Sequence, residues 1–278
     1  MDSSRPDLLD TGKVKLSFIE RTTIRWVRSS FEPGWADRLL RFLQRTIGQA
    51  WIHHSTKHLR RVSGPLPALD GIGSVLIVAN HRSFFDLFVI TAELVRRGLQ
   101  KRILFPVRSS FFYDSPLGLF VNFGMSFLAM YPPIFRDRKK VALNLVSLDE
   151  LGYLLARGGV FAGLHPEGTR KRDNDPYTFL PAQPGVGRVI HKARVPVVPV
   201  FINGLGNSVV RQVVGNWTKR GTPIHVVFGE PVDLGDLLDA KPSPRVFREI
   251  SERCLSAIDA LGQVEKRIRE APDEFRAG

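Results

Sequence analysis

Val75-Leu76-Ile77-Val78-Ala79-Asn80-His81-Arg82-Ser83-Phe84-Phe85-Asp86 decides how this chain is read. The run 75–79 is apolar without alternation, the pattern of a strand buried on both faces in a parallel sheet covered by helices. A polar turn follows it, and then an apolar segment of helical length, 84–97, with Gly98 placed as its C-terminal stop. The turn sets a histidine and a carboxylate five positions apart where the strand ends. Ligands of open parallel sheets sit beyond the carboxyl ends of their strands.

Working outward, 103–107, 126–131, 160–164, 197–202 and 225–228 also read as strands, and helix-length segments lie between most of them. One of these, 139–157, ends at Gly158-Gly159. The alternation predicts an α/β fold with a mainly parallel central sheet flanked by helices. Two further polar clusters, Phe135-Arg136-Asp137-Arg138 and His165-Pro166-Glu167-Gly168-Thr169-Arg170, also follow strand-like runs, so three clusters converge on one expected site.

The region before Gly64 shows no strand pattern and is basic, with 11 Lys and Arg against three acids between Lys13 and Arg61. Pro33-Gly34 divides it, predicting a basic N-terminal helical hairpin. Trp35, Leu39, Leu43, Ile47 and Trp51 recur every fourth residue as one apolar stripe, with Arg38, Arg41 and Arg45 on other faces. Two readings stand: a helix packed on the domain, or an interfacial helix with tryptophans at headgroup level and arginines against anionic lipid. The expected division is 1–63, amphipathic and membrane-associating, and 64–278, α/β, joined through Ser63-Gly64-Pro65-Leu66-Pro67. A structural helix over 244–269 and a short tail close the chain.

Composition sets the outer bounds. At 278 residues the chain can bury a full core, and 43% hydrophobic against 24% charged residues is globular usage. Forty Lys and Arg against 27 Asp and Glu leave a formal charge of +13, which suits phosphate-rich partners. Cys254 is the one cysteine, so an intrachain disulfide and a Cys-cluster zinc site are excluded. The first residues lack a basic segment followed by an apolar one, so no signal peptide is expected. The window 115–135 has no charged residue over 21 positions, enough to span a bilayer if helical, but Pro116, Gly118, Gly124, Pro132 and Pro133 interrupt it. It reads as a buried helix followed by a buried strand.

The clusters permit specific chemistry. A neutral imidazole at His81 can take the proton of an alcohol attacking a carbonyl, if a carboxylate at Asp86 fixes its tautomer and stabilises the imidazolium. The alternative is that Ser83-Phe84-Phe85-Asp86 is a capping box and Asp86 serves the first helical turn; both roles are compatible. Ser83 lacks a Gly-x-Ser-x-Gly elbow, which disfavours a covalent acyl-enzyme. Arg138 and Arg170 can hold phosphate in bidentate fashion, or be surface ion pairs. Gly168 permits close backbone approach to an anion, and Glu167 is read as contacting hydroxyls or positioning the arginines. His54 and His58 lie one helical turn apart without a third ligand, so no metal is expected. Gly185-x-Gly187 and Gly204-x-Gly206 lack a third glycine, and no nucleotide cofactor is expected.

Together these residues resemble the glycerolipid acyltransferase family. Its N-H-x-x-x-x-D block matches Asn80, His81 and Asp86; its second resembles Ile134-Phe135-Arg136-Asp137-Arg138. Its P-E-G-T-R block matches Pro166 to Arg170, and its fourth resembles Val195-Pro196-Val197-Val198-Pro199-Val200, all in order within 73–230. The resemblance implies His81 as base, Asp86 as its orienting acid, and Arg138, Glu167, Gly168, Thr169 and Arg170 at the acceptor. It implies a donor thioester of coenzyme A or acyl carrier protein as co-substrate and a lysophospholipid acceptor. It also implies peripheral attachment to a lipid bilayer, expected at the cytoplasmic face. The pattern differs at His165, where an aromatic is common, at Arg136, and at Gln183-Pro184-Gly185, where a lysine often precedes glycine. The acceptor therefore stays open among 1-acyl-glycerol-3-phosphate, glycerol 3-phosphate, another lysophospholipid and an amino-acid lipid. A non-catalytic lipid-binding protein would have no need of His81 and Asp86. No recognition helix favours nucleic acid.

Overall fold

Three helices precede the first strand: α1 (Phe18–Ser29), α2 (Trp35–Arg45) and α3 (Ile47–Thr56). A capping box starts α1, with Ser17 Oγ accepting the Glu20 N–H and the Glu20 carboxylate accepting the Ser17 N–H. Pro33-Gly34 separates α1 from α2 as expected, but the stripe from Trp35 to Trp51 is broken at Thr46, whose backbone is not helical. The hairpin is thus three helices. The computed structural model describes residues 5–10, 12, 14–67, 73–173 and 175–271; the first four residues and the tail expected after the last helix lie outside the described residues.

β1 (Arg60–Ser63), β2 (Val75–Ala79), α4 (Asp86–Arg96) and β3 (Arg102–Leu104) come next, then β4 (Val107–Arg108), a short turn α5 (Ser109–Phe112), α6 (Pro116–Ser126) and β5 (Pro133–Ile134). α7 (Leu143–Ala156), β6 (Val160–Leu164), α8 (Pro184–Ala193), β7 (Val197–Asn203), α9 (Val209–Thr218), β8 (Ile224–Phe228) and α10 (Pro244–Glu270) complete the order. The main sheet runs β1-β8-β7-β2-β6-β3, parallel throughout except between β7 and β8. β4 and β5 form a separate parallel pair. This is the mainly parallel α/β sheet predicted.

β2 lies inside the sheet and shows why its sequence is apolar throughout. Leu76 and Val78 enter one core with Leu151, Leu155, Val189 and Ile258, while Val75, Ile77 and Ala79 enter the other with Ile52, Leu87, Val89 and Ile90. Alternation is present, but both faces are dry. Gly187 lets α8 approach α10: a Cβ there would stand 1.8 Å from the Phe247 carbonyl oxygen.

Three expectations are corrected. The strand expected over 126–131 is absent, because α6 runs to Ser126 and Phe127 and Leu128 then take positive φ angles of 47° and 61°, which no strand admits. The region before Gly64 does contain a strand, β1, which pairs with β8 at the sheet edge. α6 is not buried as read: Phe120 is 72% and Leu117 62% exposed. Among the described residues no helix is long and apolar enough to cross a membrane.

Candidate active site

β2 delivers Asn80 and His81 to the carboxyl end of the sheet, and α4 begins five residues later at Asp86. The buried Asn80 side chain extends the β2–β7 ladder beyond its last backbone pair: Nδ2 donates to the Ile202 carbonyl and Oδ1 accepts the Ile202 N–H, both at 2.8 Å. The turn is then held by Asp86, whose Oδ2 accepts the N–H groups of Arg82 and Ser83 at 2.8 Å and faces His81 Nδ1 at 3.2 Å. One oxygen thus serves both the imidazole and the turn, but the capping box is only half formed: Ser83 Oγ accepts the Phe85 N–H rather than that of Asp86, and Phe85 stands as the N-cap without a side-chain cap. A carboxylate only accepts, so His81 Nδ1 carries the proton and Nε2 is the free base. Among the described residues Asp86 Oδ1, which is buried, has no hydrogen-bond partner.

β6 lies beside β2 in parallel register, Val78 opposite Leu164, so the turn after β6 meets the turn after β2. Glu167, buried, accepts the His81 N–H on Oε1 and the Leu180 N–H on Oε2, each at 2.9 Å. Sequence reading aimed this carboxylate at hydroxyls or arginines; both its oxygens instead clamp two backbone segments. The Lys171 N–H donates to the His81 carbonyl at 3.2 Å, a second tie between the turns. The His165 ring lies parallel to that of His81, with centroids 3.9 Å apart and planes 9° apart, and its Nδ1 is 2.9 Å from the Ala79 carbonyl.

Gly168, with φ of 66°, and Thr169 are exposed on that turn, and Arg170 donates to Asn207 Oδ1 at 2.6 Å. Arg138 is exposed and has no hydrogen bond or ion pair among the described residues. Arg136, not chosen from sequence as a site residue, is the cation of its segment whose charge reaches His81. Ser83 Oγ donates to the Gly206 carbonyl and accepts the Phe85 N–H, so it is engaged structurally. A cavity of about 740 Å³ opens beside Asp86, walled by Arg82, Arg170, Lys171, Arg172 and Asn207. Asn207 had no signal in the sequence; Asn80 stood inside a motif but without a role.

Burial and the nearby charges of Arg170 and Arg136 push the His81 pKa down to about 4, while burial pushes Asp86 up to about 6 against the hydrogen bonds it accepts. His165 is pushed down to about 3, first by burial and then by His81. Glu167 is raised by burial. At neutral pH the arrangement is a neutral imidazole beside a carboxylate.

His81, Asp86 and His165 offer ligand atoms within 4.8 Å of one another. The two rings are parallel and face to face, so their in-plane lone pairs do not converge on one ion, and the geometry does not fit a metal centre. His54 and His58 are separately engaged, with the Ala50 carbonyl and the Trp217 ring. Around the start of α4, Phe84, Phe85, Phe88, Phe112 and Trp51 form an apolar aromatic cluster.

The family model described as Acyltransferase matches residues 53–203. The human protein 1-acyl-sn-glycerol-3-phosphate acyltransferase beta (Homo sapiens) is 30% identical over 132 residues, which cover 48% of this chain and 42% of that protein. The matched stretch thus spans less than half the length of this relative. The crystal structure of the 1-acyl-sn-glycerophosphate (LPA) acyltransferase PlsC from Thermotoga maritima superposes with a TM-score of 0.51 at 20% identity, covering 87% of this chain and 88% of that one, a likeness of fold. With more than half of its length inside the family model, this chain belongs to the acyltransferase family.

Proposed function

We propose that the protein transfers a fatty acyl chain from a thioester of coenzyme A or acyl carrier protein to the hydroxyl of a glycerolipid, with 1-acyl-glycerol-3-phosphate as the acceptor and phosphatidic acid as the product. The observation that carries this reading is the neutral His81 ring held on Asp86 Oδ2, the aspartate itself lining a cavity walled by Arg82, Arg170, Lys171 and Arg172. His81 Nε2 takes the proton of the acceptor hydroxyl as its oxygen attacks the thioester carbonyl carbon. The tetrahedral intermediate collapses with cleavage of the C–S bond, and the imidazolium returns its proton to the departing thiolate. Asp86 stabilises the imidazolium between these steps. Arg170, with Arg136 and Arg138, supplies positive charge for the acceptor phosphate. The turn through Glu167, Gly168 and Thr169 forms the acceptor side, and the cluster of Phe84, Phe88 and Phe112 suits the acyl chain.

The same reading includes peripheral attachment to the cytoplasmic face of a membrane. Trp35 is 74% exposed, and Leu39, Phe42 and Ile47 are exposed beside it, so part of the apolar stripe read from sequence faces outward, while Leu43 and Trp51 of the same stripe pack against the core. Core contacts of α2 come from Leu40, Leu43 and Gln44.

Mass spectrometry of lipids formed from palmitoyl-coenzyme A or an acyl carrier protein thioester and a panel of acceptors tests the proposal. Product is expected with the native protein and absent with His81→Ala. Equal product from both would remove His81 from the reaction, and no product from any pair would remove the activity.

A further inference from the structure

Among the described residues the His81 ring has one side-chain hydrogen bond, of 3.2 Å to an oxygen that also accepts two backbone N–H groups at 2.8 Å, beside a backbone interaction with Ser83. One long contact to a shared acceptor holds Nδ1 only loosely, and because Cβ, Cγ and Nδ1 together set the ring plane, that looseness leaves the side-chain torsions of His81, and with them the plane, weakly fixed. A general base must aim its lone pair at the substrate proton, so the ring plane matters as much as the position. A second constraint is present. His165 emerges from β6 next to the end of β2, and its ring lies flat against His81 at 3.9 Å.

The His165 plane is itself fixed. Its Nδ1 stands 2.9 Å from the Ala79 carbonyl, which only accepts, so Nδ1 carries the proton and the ring is tied to the strand that delivers His81. The ring that orients the base and the base itself are therefore referred to the same strand end. When His81 becomes an imidazolium, a neutral aromatic face beside it offers polarisable stabilisation where a second cation would repel. Burial holds His165 in that neutral state, with its pKa pushed down to about 3.

We infer that His165 is a positioning residue for the His81 base, setting the plane of its ring by face-to-face stacking. The inference rests on the acyl-transfer reading for its effect on turnover; its consequence for the His81–Asp86 hydrogen bond, which a misaligned ring loses, is measurable without turnover. The aromatic face is the working part and the hydrogen bond to Ala79 its anchor, so variants separate the two: His165→Phe keeps a ring, His165→Gln keeps a hydrogen-bond donor without a ring, and His165→Ala keeps neither.

The experiment joins imidazole ¹⁵N NMR of His81 with steady-state kinetics on the full chain, melting temperatures serving as the folding control. Expected for His165→Ala and His165→Gln is a mixture of His81 tautomers and a kcat lowered about 10- to 50-fold, with KM for donor and acceptor unchanged. His165→Phe should restore the single Nδ1–H tautomer and bring kcat within about threefold of the native value. His81 signals unchanged in His165→Ala would overturn the inference, as would rescue by His165→Gln equal to that by His165→Phe, which would assign the effect to the Ala79 anchor alone. A native protein that transfers no acyl group would sink the acyl-transfer reading, while the NMR arm would still decide the role of His165.

Discussion

Asn80 and Ile202 exchange two hydrogen bonds of 2.8 Å, the asparagine amide acting as one more rung of the β2–β7 ladder after the last residue of β2. An amide has the donor and the acceptor this rung needs, on atoms about as far apart as those of a peptide group. The strand is thereby prolonged through a side chain, and the backbone is released to turn at His81. Asn80→Asp removes the donor and places a charge in a fully buried site. We expect it to destabilise the fold by about 2–4 kcal/mol in urea titrations, from an unpaired buried carbonyl and a desolvated carboxylate. Native stability in Asn80→Asp would show that the rung is dispensable.

Asp86 sets the response to pH. Its carboxyl is raised to about 6 in the folded chain against an ordinary 3.8, so the folded state binds its proton more tightly than the unfolded state does. By linkage, the stability contributed by this group is fully present below the unfolded value and is lost as pH rises through about 6. Asp86→Asn removes that loss and should be more stable than the native protein at pH 7, by about 3 kcal/mol at most, with the advantage disappearing toward pH 4. Its kcat should fall about 10²- to 10⁴-fold, since an amide does not enforce the Nδ1–H tautomer. In the native protein kcat/KM should decline as pH drops through about 6. A variant less stable than native at pH 7 would contradict the assigned cost of the buried carboxylate.

Arg136 and Arg138 differ in reach. Arg136 contributes to holding the His81 pKa down, so Arg136→Ala should shift His81 upward, visible in its NMR titration. The same change should raise the acceptor KM about tenfold if the cation also meets the acceptor phosphate, while Arg138→Ala should leave the His81 titration unmoved. A larger effect on His81 from Arg138→Ala would reverse the assignment.

Glu167 joins the turn at His81 to the segment at Leu180 through two hydrogen bonds of 2.9 Å. Glu167→Ala leaves two N–H groups unpaired and should cost about 2–4 kcal/mol of stability while lowering kcat more than it changes KM. Hydrogen exchange at His81 and Leu180 gives a direct check, since both amides should lose protection.

Trp35, Leu39 and Phe42 expose apolar surface along α2. Replacing all three by serine should release the protein from anionic vesicles in sedimentation assays, because each side chain contributes roughly 1.5–3 kcal/mol when buried in an apolar phase. Binding that persists unchanged would return α2 to a structural role. Because these side chains are not in the core, the melting temperature should stay close to native.

What the sequence determined by itself was local. The runs 75–79 and 160–164 form β2 and β6 with those limits, because a strand buried on both faces must be apolar along its whole length and polar residues must end it. The pairing of His81 with Asp86 was equally legible, since a turn and a helix start bring residues five apart together whatever the rest of the chain does. The tertiary structure decided what depends on the order of strands. Glu167 reaches the His81 backbone, and His165 the His81 ring, only because β6 lies against β2, a neighbourhood between residues more than 80 positions apart. It also decided what hydropathy leaves ambiguous. The window 115–135 is apolar as a buried strand would be, but half of it is an exposed helix, because composition counts apolar side chains and says nothing about which surface covers them.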